Sequence, residues 1–224
     1  TGRKEIINFL EPFPVLVRSL PSVSEIAKGK VKIDDLREVT IKDLLGRDSI
    51  APNLKLLSLN ISNKVVMVTG AGGSIGSELS RQILILKPSM LILFESNEFA
   101  LYSIHSELSK NNQAMKILPF LGSINNKERF GTILNRFKVQ TIYHAAAYKH
   151  VPMVEFNNIE GISNNILGTL SCAESAIKYK VETFVLISTD KAVRPTSTMG
   201  ATCLLYTSPS PRCLLYTSPS PRDG

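Results

Sequence analysis

Soft metal ligands are scarce in this chain: 224 residues contain three cysteines and three histidines. Two of the cysteines, Cys203 and Cys213, lie in a short repeat near the end, which leaves Cys172 without a partner. A disulfide framework is thereby excluded and a reducing compartment is implied. His105, His144 and His150 show no ligand spacing with one another or with Cys172, so no metal is assigned. No run of about five or six basic residues occurs, and the formal charge of +7 is spread along the chain, which argues against a nucleic-acid partner and suits a phosphate-bearing ligand better. No apolar run approaches the roughly eighteen residues that span a bilayer, and the first residues lack the features of a signal peptide. The sequence reads as soluble.

Hydrophobic residues at 43% and charged residues at 20% indicate a globular chain, long enough for one full domain or one domain plus part of another. Residues 203–212 read CLLYTSPSPR and residues 213–222 repeat the same ten letters without drift. Two copies cannot form a solenoid, and the string resembles an in-frame translation of a sequencing-library adapter, so residues 203–224 are expected to be an artefactual, disordered tail.

Lys64 to Glu95 organises the rest. Lys64 to Thr69 is β-branched and apolar without alternation, the pattern of a strand buried on both faces of a parallel sheet. Gly70, Gly72, Gly73 and Gly76 follow, permitting a tight turn and close backbone approach. The segment after Ile75 turns helical, so its free N–H groups and dipole would face an anionic diphosphate. A second apolar run from Met90 ends in Glu95, about where a dinucleotide fold puts the acid that bonds the adenosine ribose. The stretch therefore reads as a nicotinamide-dinucleotide site.

Onward from there, helical faces over 75–86, 97–110 and 127–137 alternate with strands over 115–120 and 139–143. A long helix from about Ile159 to Tyr179 precedes a last strand, Thr183 to Ile187. This order predicts an α/β fold with a doubly wound parallel sheet, Rossmann-like, with ligands at the carboxyl ends of the strands. The domain is expected over residues 61–202. Residues 1–60 read as the tail of a preceding domain plus a linker, with an arm over 22–37 and a helix end or turn over 43–53. Two further motifs fall at strand ends. Ala145, Ala146 and Ala147 allow close packing against a cofactor, and Thr189, Asp190 and Lys191 give a hydroxyl donor, a general acid and a general base in one loop. Asp190 and Lys191 also fit a solvated charged turn. His144 reads as a structural or cofactor-wall residue or as a base, and Lys149 and His150 either meet substrate phosphates or face solvent.

TGxxGxxG at 69–76, HAAA at 144–147, Asn165 to Thr169 and STDK at 188–191 resemble the extended short-chain dehydrogenase/reductase superfamily. More closely, DLLGRDS at 43–49, GAGGSIGSE at 70–78, AYKHVPMVE at 147–155 and ISTDKAVRPTSTMGAT at 187–202 resemble the CapD-type polysaccharide biosynthesis proteins, which are nucleotide-sugar 4,6-dehydratases and epimerases. The resemblance implies a parent that acts on a UDP-N-acetylhexosamine, uses NAD or NADP, assembles as a homo-oligomer, and is the cytoplasmic part of an inner-membrane protein whose membrane helices lie upstream of Thr1. It implies cofactor contacts at Gly70, Gly73, Ser74, Ile75, Gly76, Glu95, Ala145, Ala146, Ala147 and Asn165, and substrate contacts at Lys149 and His150.

In similar enzymes the sugar is oxidised at carbon 4, loses a proton from carbon 5 and water from carbon 6, and is reduced again at carbon 6. By resemblance Thr189 bonds the carbon-4 oxygen, Asp190 protonates the departing hydroxyl, and Lys191, its pKa lowered, takes the carbon-5 proton. Three departures stand out. Met199 occupies the superfamily's tyrosine position, Cys203 stands where the lysine four residues later is expected, and Ser123 replaces the usual acid near the adenine. Glu95 favours NAD over NADP by repelling a 2′-phosphate. The sheet is expected to be incomplete at the C-terminus, leaving the last strand as a raw edge and the chain as it stands inactive and poorly soluble. Epimerisation on the same scaffold, or dinucleotide binding without catalysis, are the competing readings.

Overall fold

The computed structural model describes residues 53–111 and 115–207, together with the backbone of two short strands, Arg18–Ser19 (β1) and Arg37–Glu38 (β2). The chain divides into two compact units, Thr1–Pro52 and Asn53–Gly224. In the first, β1 and β2 pair antiparallel. The rest of the expected arm and linker lies outside the described residues.

The second unit begins earlier than residue 61. Asn53 accepts a hydrogen bond from the Leu56 N–H at 3.3 Å and caps a helix, Leu54–Ile61 (α1). Ile61 is buried in the core. The Asn60 carbonyl accepts from Thr141 Oγ1 at 2.6 Å and its side chain from Thr183 Oγ1 at 3.2 Å, so α1 is tied to two strands.

A five-stranded parallel sheet follows, in the order β5-β4-β3-β6-β7. Its strands are Val65–Thr69 (β3), Met90–Glu95 (β4), Ile117–Leu121 (β5), Thr141–His144 (β6) and Thr183–Leu186 (β7). The order reverses between β4 and β6 around β3, which makes the carboxyl end of β3 a topological switch point. Strand residues alternate between two cores. Val66, Val68, Leu91 and Leu93 join Ile83 and Leu84 of α2 (Ser74–Ile85) and Leu101, Ile104 and Leu108 of α3 (Glu98–Asn111). Met67, Ile92, Phe94 and Ile142 pack instead on Phe130, Ile133 and Leu134 of α4 (Lys127–Phe137). Each such buried side chain contributes about 1.5–3 kcal/mol, whereas exposed pairs such as Arg81–Glu107 at 2.6 Å contribute about 0–1 kcal/mol. The strand register is therefore set by the two cores.

After β6 the helical stretch is longer and more broken than expected. It comprises α5 (Val151–Phe156), α6 (Asn158–Ile162), a π-helical segment, Ser163–Gly168, and α7 (Thr169–Lys178). A Cβ on Gly168 would stand 2.7 Å from Ile124 Cδ1, so this glycine is what lets the π-turn lie against the loop after β5. β7 is one edge of the sheet among the described residues, and β5 is the other. A 3₁₀ turn, Asp190–Ala192, and α8 (Thr198–Thr207) follow.

The last helix among the described residues enters the first residues of the repeat. α8 runs through to Thr207, with Cys203 only 3% exposed against Met199. The remainder of the repeat lies outside the described residues. Among the described residues no helix is long and apolar enough to cross a membrane.

Candidate functional site

β3 ends in a turn that only glycine fits. Gly70 has φ +66°, and a Cβ there would lie 2.7 Å from the Ala145 carbonyl oxygen and 2.8 Å from Ala146 Cα. A Cβ on Gly76 would sit 2.0 Å from the Gly70 oxygen, so helix α2 can approach β3 only with glycine at that position. Gly73 differs from both. Its φ of −69° and ψ of 165° suit any residue, and a Cβ would meet nothing closer than the Gly70 oxygen at 3.3 Å. It is the N-cap of α2 and makes no side-chain cap bond, and with Gly70 and Gly72 it lines a cavity of about 870 Å3 at the start of that helix. Helix N-termini of this kind bind phosphate.

Glu95 stands at the carboxyl end of β4 and also lines the cavity. Its Oε2 accepts from the Gly72 N–H at 3.0 Å, and its Oε1 from the N–H groups of Ser96 at 2.8 Å and Asn97 at 3.0 Å. Three backbone donors thus fix the carboxylate against the glycine loop, with further lone pairs available to ribose hydroxyls.

The opposite wall comes from the segment after β6. Ala145, Ala146 and Ala147 line the cavity, as do Tyr148, Lys149 and His150. Lys149 Nζ donates to Ser74 Oγ at 2.6 Å, which brings a cation to the first residue of α2. Ile75 is 49% exposed on the next residue, and the cavity lining does not include it.

Asn165 requires a correction. It is fully buried, accepts from the Tyr148 N–H at 2.8 Å, and donates to the Tyr148 carbonyl at 3.0 Å and to Thr202 Oγ1 at 3.1 Å. Both of its N–H donors and its oxygen are spent on the protein, so it holds the 148 backbone in place and is not a cofactor contact. His144 is likewise structural. It is 2% exposed, Nδ1 lies 2.8 Å from Thr69 Oγ1, and Nε2 lies 3.0 Å from Thr169 Oγ1. Burial pushes its pKa down to about 4, which leaves the ring neutral.

Thr189, Asp190 and Lys191 follow β7 at the same edge of the sheet as the glycine loop, since all five strands are parallel. Thr189 Oγ1 donates to Asp190 Oδ1 at 3.1 Å and accepts from the Lys191 N–H at 3.3 Å. Asp190 and Lys191 are exposed, and the loop lies outside the lining of the cavity. Met199 is 1% exposed and packs on Val154, Ala192 and Cys203, so the residue at the tyrosine position is a core residue and presents nothing to the site. Sequence reasoning also missed Glu160, Asn157 and Asn164, which line the cavity from α6 and its neighbours. No motif marks them; only the path of the π-segment brings them there.

The capsular polysaccharide biosynthesis protein CapD of Staphylococcus aureus is 46% identical over 184 residues, a match that covers 82% of this chain and 31% of that protein. A UDP-N-acetylglucosamine 4,6-dehydratase (inverting) of Campylobacter jejuni is 32% identical over 144 residues, 64% of this chain and 41% of that protein. The chain thus spans between about a third and two fifths of the length of these curated relatives. Among solved structures, Pen from Bacillus thuringiensis superposes with a TM-score of 0.61 at 30% identity, covering 66% of this chain and 45% of that one. The model of one family, described as polysaccharide biosynthesis protein, matches residues 66–208. With more than half of its length matched in this way, the chain belongs to the polysaccharide biosynthesis protein family.

Proposed function

We propose that this chain is the dinucleotide-binding part of an NAD-dependent nucleotide-sugar 4,6-dehydratase that acts on a UDP-N-acetylhexosamine in surface polysaccharide biosynthesis. The observation that carries the proposal is that the glycine loop capping α2, a fixed carboxylate and a cation, Lys149, line one cavity at the switch point of the sheet. The residues present fit the cofactor: Gly73 leaves room where a Cβ would otherwise point, Glu95 is aimed by three amides, and the alanines at 145–147 keep the far wall low. Gly70, Gly73, Ser74 and Gly76 would hold the diphosphate, Glu95 the adenosine ribose, and Ala145–Ala147 the remainder. Glu95 disfavours a 2′-phosphate and so favours NAD over NADP. The relative from Campylobacter jejuni named above supports the substrate class.

The nicotinamide, when bound, supplies reversible two-electron oxidation at a sugar carbon. The chain's own residues handle protons. Thr189 bonds the carbon-4 oxygen, Lys191 removes the proton at carbon 5, and Asp190 gives a proton to the carbon-6 hydroxyl, which leaves as water. His150 and Lys149 are placed to meet phosphate oxygens. The test is to incubate the full-length protein with UDP-N-acetylglucosamine and weigh the product. Loss of one water supports dehydration; an isomer of unchanged mass with one inverted carbon supports epimerisation instead; an unaltered substrate and no bound dinucleotide would sink both readings.

A further inference from the structure

The base-facing end of the cavity is lined by side chains that no motif accounts for. From β4 and Glu95, the cavity extends across the loop after β5, where Gly122, Ser123, Ile124 and Asn125 form its floor. Beyond that loop Asn157, Glu160 and Asn164 of the α6 and π-helical stretch also line it. The two walls are in contact: Asn125 Nδ2 donates to Ser163 Oγ at 3.4 Å, and Gly168 rests on Ile124. Glu160 and Asn164 are four residues apart, so they share a helix face.

Glu160 differs from its neighbours in charge. Every other side chain that lines this end is neutral, and the exposed carboxylate of Glu160 makes no hydrogen bond or ion pair with the described residues, whereas its backbone carbonyl accepts from the Ser163 N–H. By contrast, the other acid of the cavity, Glu95, is held by three backbone amides. An unpaired carboxylate at the open rim of a cavity whose other lining side chains at this end are neutral is an acceptor available to a donor on the ligand.

Resting on the dinucleotide reading above, we propose that Glu160 is a specificity-determining residue that accepts a hydrogen bond from the exocyclic amine of the purine base. It supplies from helix α6 the acid that the loop after β5, with Ser123, does not. Glu95 pairs in register with Leu121 at the end of β5, so a base carried by a ribose at Glu95 reaches the loop after β5, the end of the cavity that Glu160 also lines. A purine with an amine at position 6 donates to the carboxylate. One with a carbonyl there sets oxygen against oxygen.

The experiment measures the affinity of the 224-residue chain for NAD and for its deaminated analogue, nicotinamide hypoxanthine dinucleotide. The unaltered chain should prefer NAD by about tenfold, the size of one charge-assisted hydrogen bond at a partly open site. Glu160→Ala should bring the ratio close to one by weakening NAD alone, and its unchanged affinity for the analogue reports that the cavity is intact. A ratio that Glu160→Ala leaves unaltered, or an equal loss for both dinucleotides, would overturn the inference while leaving the dinucleotide reading in place. If the unaltered chain bound neither dinucleotide, the cofactor reading would fall and this inference with it.

Discussion

The glycine loop and the Thr189–Lys191 loop lie at the same edge of one sheet, yet they are held by different physics. Around the first, main-chain atoms touch main-chain atoms: Gly70 on Ala145, Gly76 on Gly70, and Glu95 bonded to three amides. Around the second, the bonds run between neighbours in sequence, Thr189 to Asp190 and Lys191, and the charged groups stand in solvent. The glycine loop is fixed by packing and cannot relax; the Thr189–Lys191 loop is a local turn whose charged side chains stand exposed.

The strongest way to break that contrast is at Gly76. Gly76→Ala puts a methyl group 2.0 Å from a backbone oxygen, and we expect a loss of about 3 kcal/mol or more, read as a collapse of the urea midpoint. Gly73→Ala, a few residues away, should cost less than about 1 kcal/mol and instead weaken NAD binding, because its methyl enters the cradle. Equal destabilisation by the two would show that the whole loop, and not its buried side alone, is fixed by packing.

Next in size is the pH dependence carried by His144. Its folded pKa, about 4, lies below the ordinary value of 6.5, so the neutral ring contributes stability that is complete above pH 6.5 and drains away as pH falls towards 4. The loss is on the order of 3 kcal/mol, and His144→Asn should remove this part of the pH dependence while lowering stability at neutral pH. Denaturation midpoints at pH 7, 5.5 and 4 give the comparison.

The Thr189–Lys191 loop should behave oppositely. Lys191→Ala should alter stability by no more than about 0.5 kcal/mol, yet slow water loss by the full-length protein about a hundredfold or more. Full dehydration by that variant would remove Lys191 from the mechanism. The smallest effect is expected at Lys138, which caps α4 with φ +50°. Lys138→Gly relieves a left-handed backbone and should raise stability by up to about 1 kcal/mol, measurable as a small shift in Tm.

Strands β3 and β4, the glycine turn and Glu95 were legible because each rests on a local pattern: unbroken apolar runs, glycines and an acid in register. α1 was missed because Leu54–Ile61 follows Pro52 and reads as linker; its link to the sheet is Asn60 with Thr141 and Thr183, far away in sequence. Asn165 was read as a ligand because a motif names a residue but not the direction of its amide, and its partner here is Tyr148. The π-segment leaves no trace in apolar spacing, so Glu160 stayed invisible. Left-handed helix ends were hidden as well, since Lys87, Lys138 and Lys180 take positions where glycine would have given a signal.

The imidazole between Thr69 and Thr169 has one more property. A neutral ring donates from one nitrogen and accepts at the other, and a hydroxyl can do either, so the row Thr69–His144–Thr169 can be polarised in two opposite senses without moving a heavy atom. Strand β3 and helix α7 are thus joined by a reversible electric dipole, and the ¹⁵N shifts of the ring would tell which tautomer the protein holds and whether a ligand at the glycine turn inverts it.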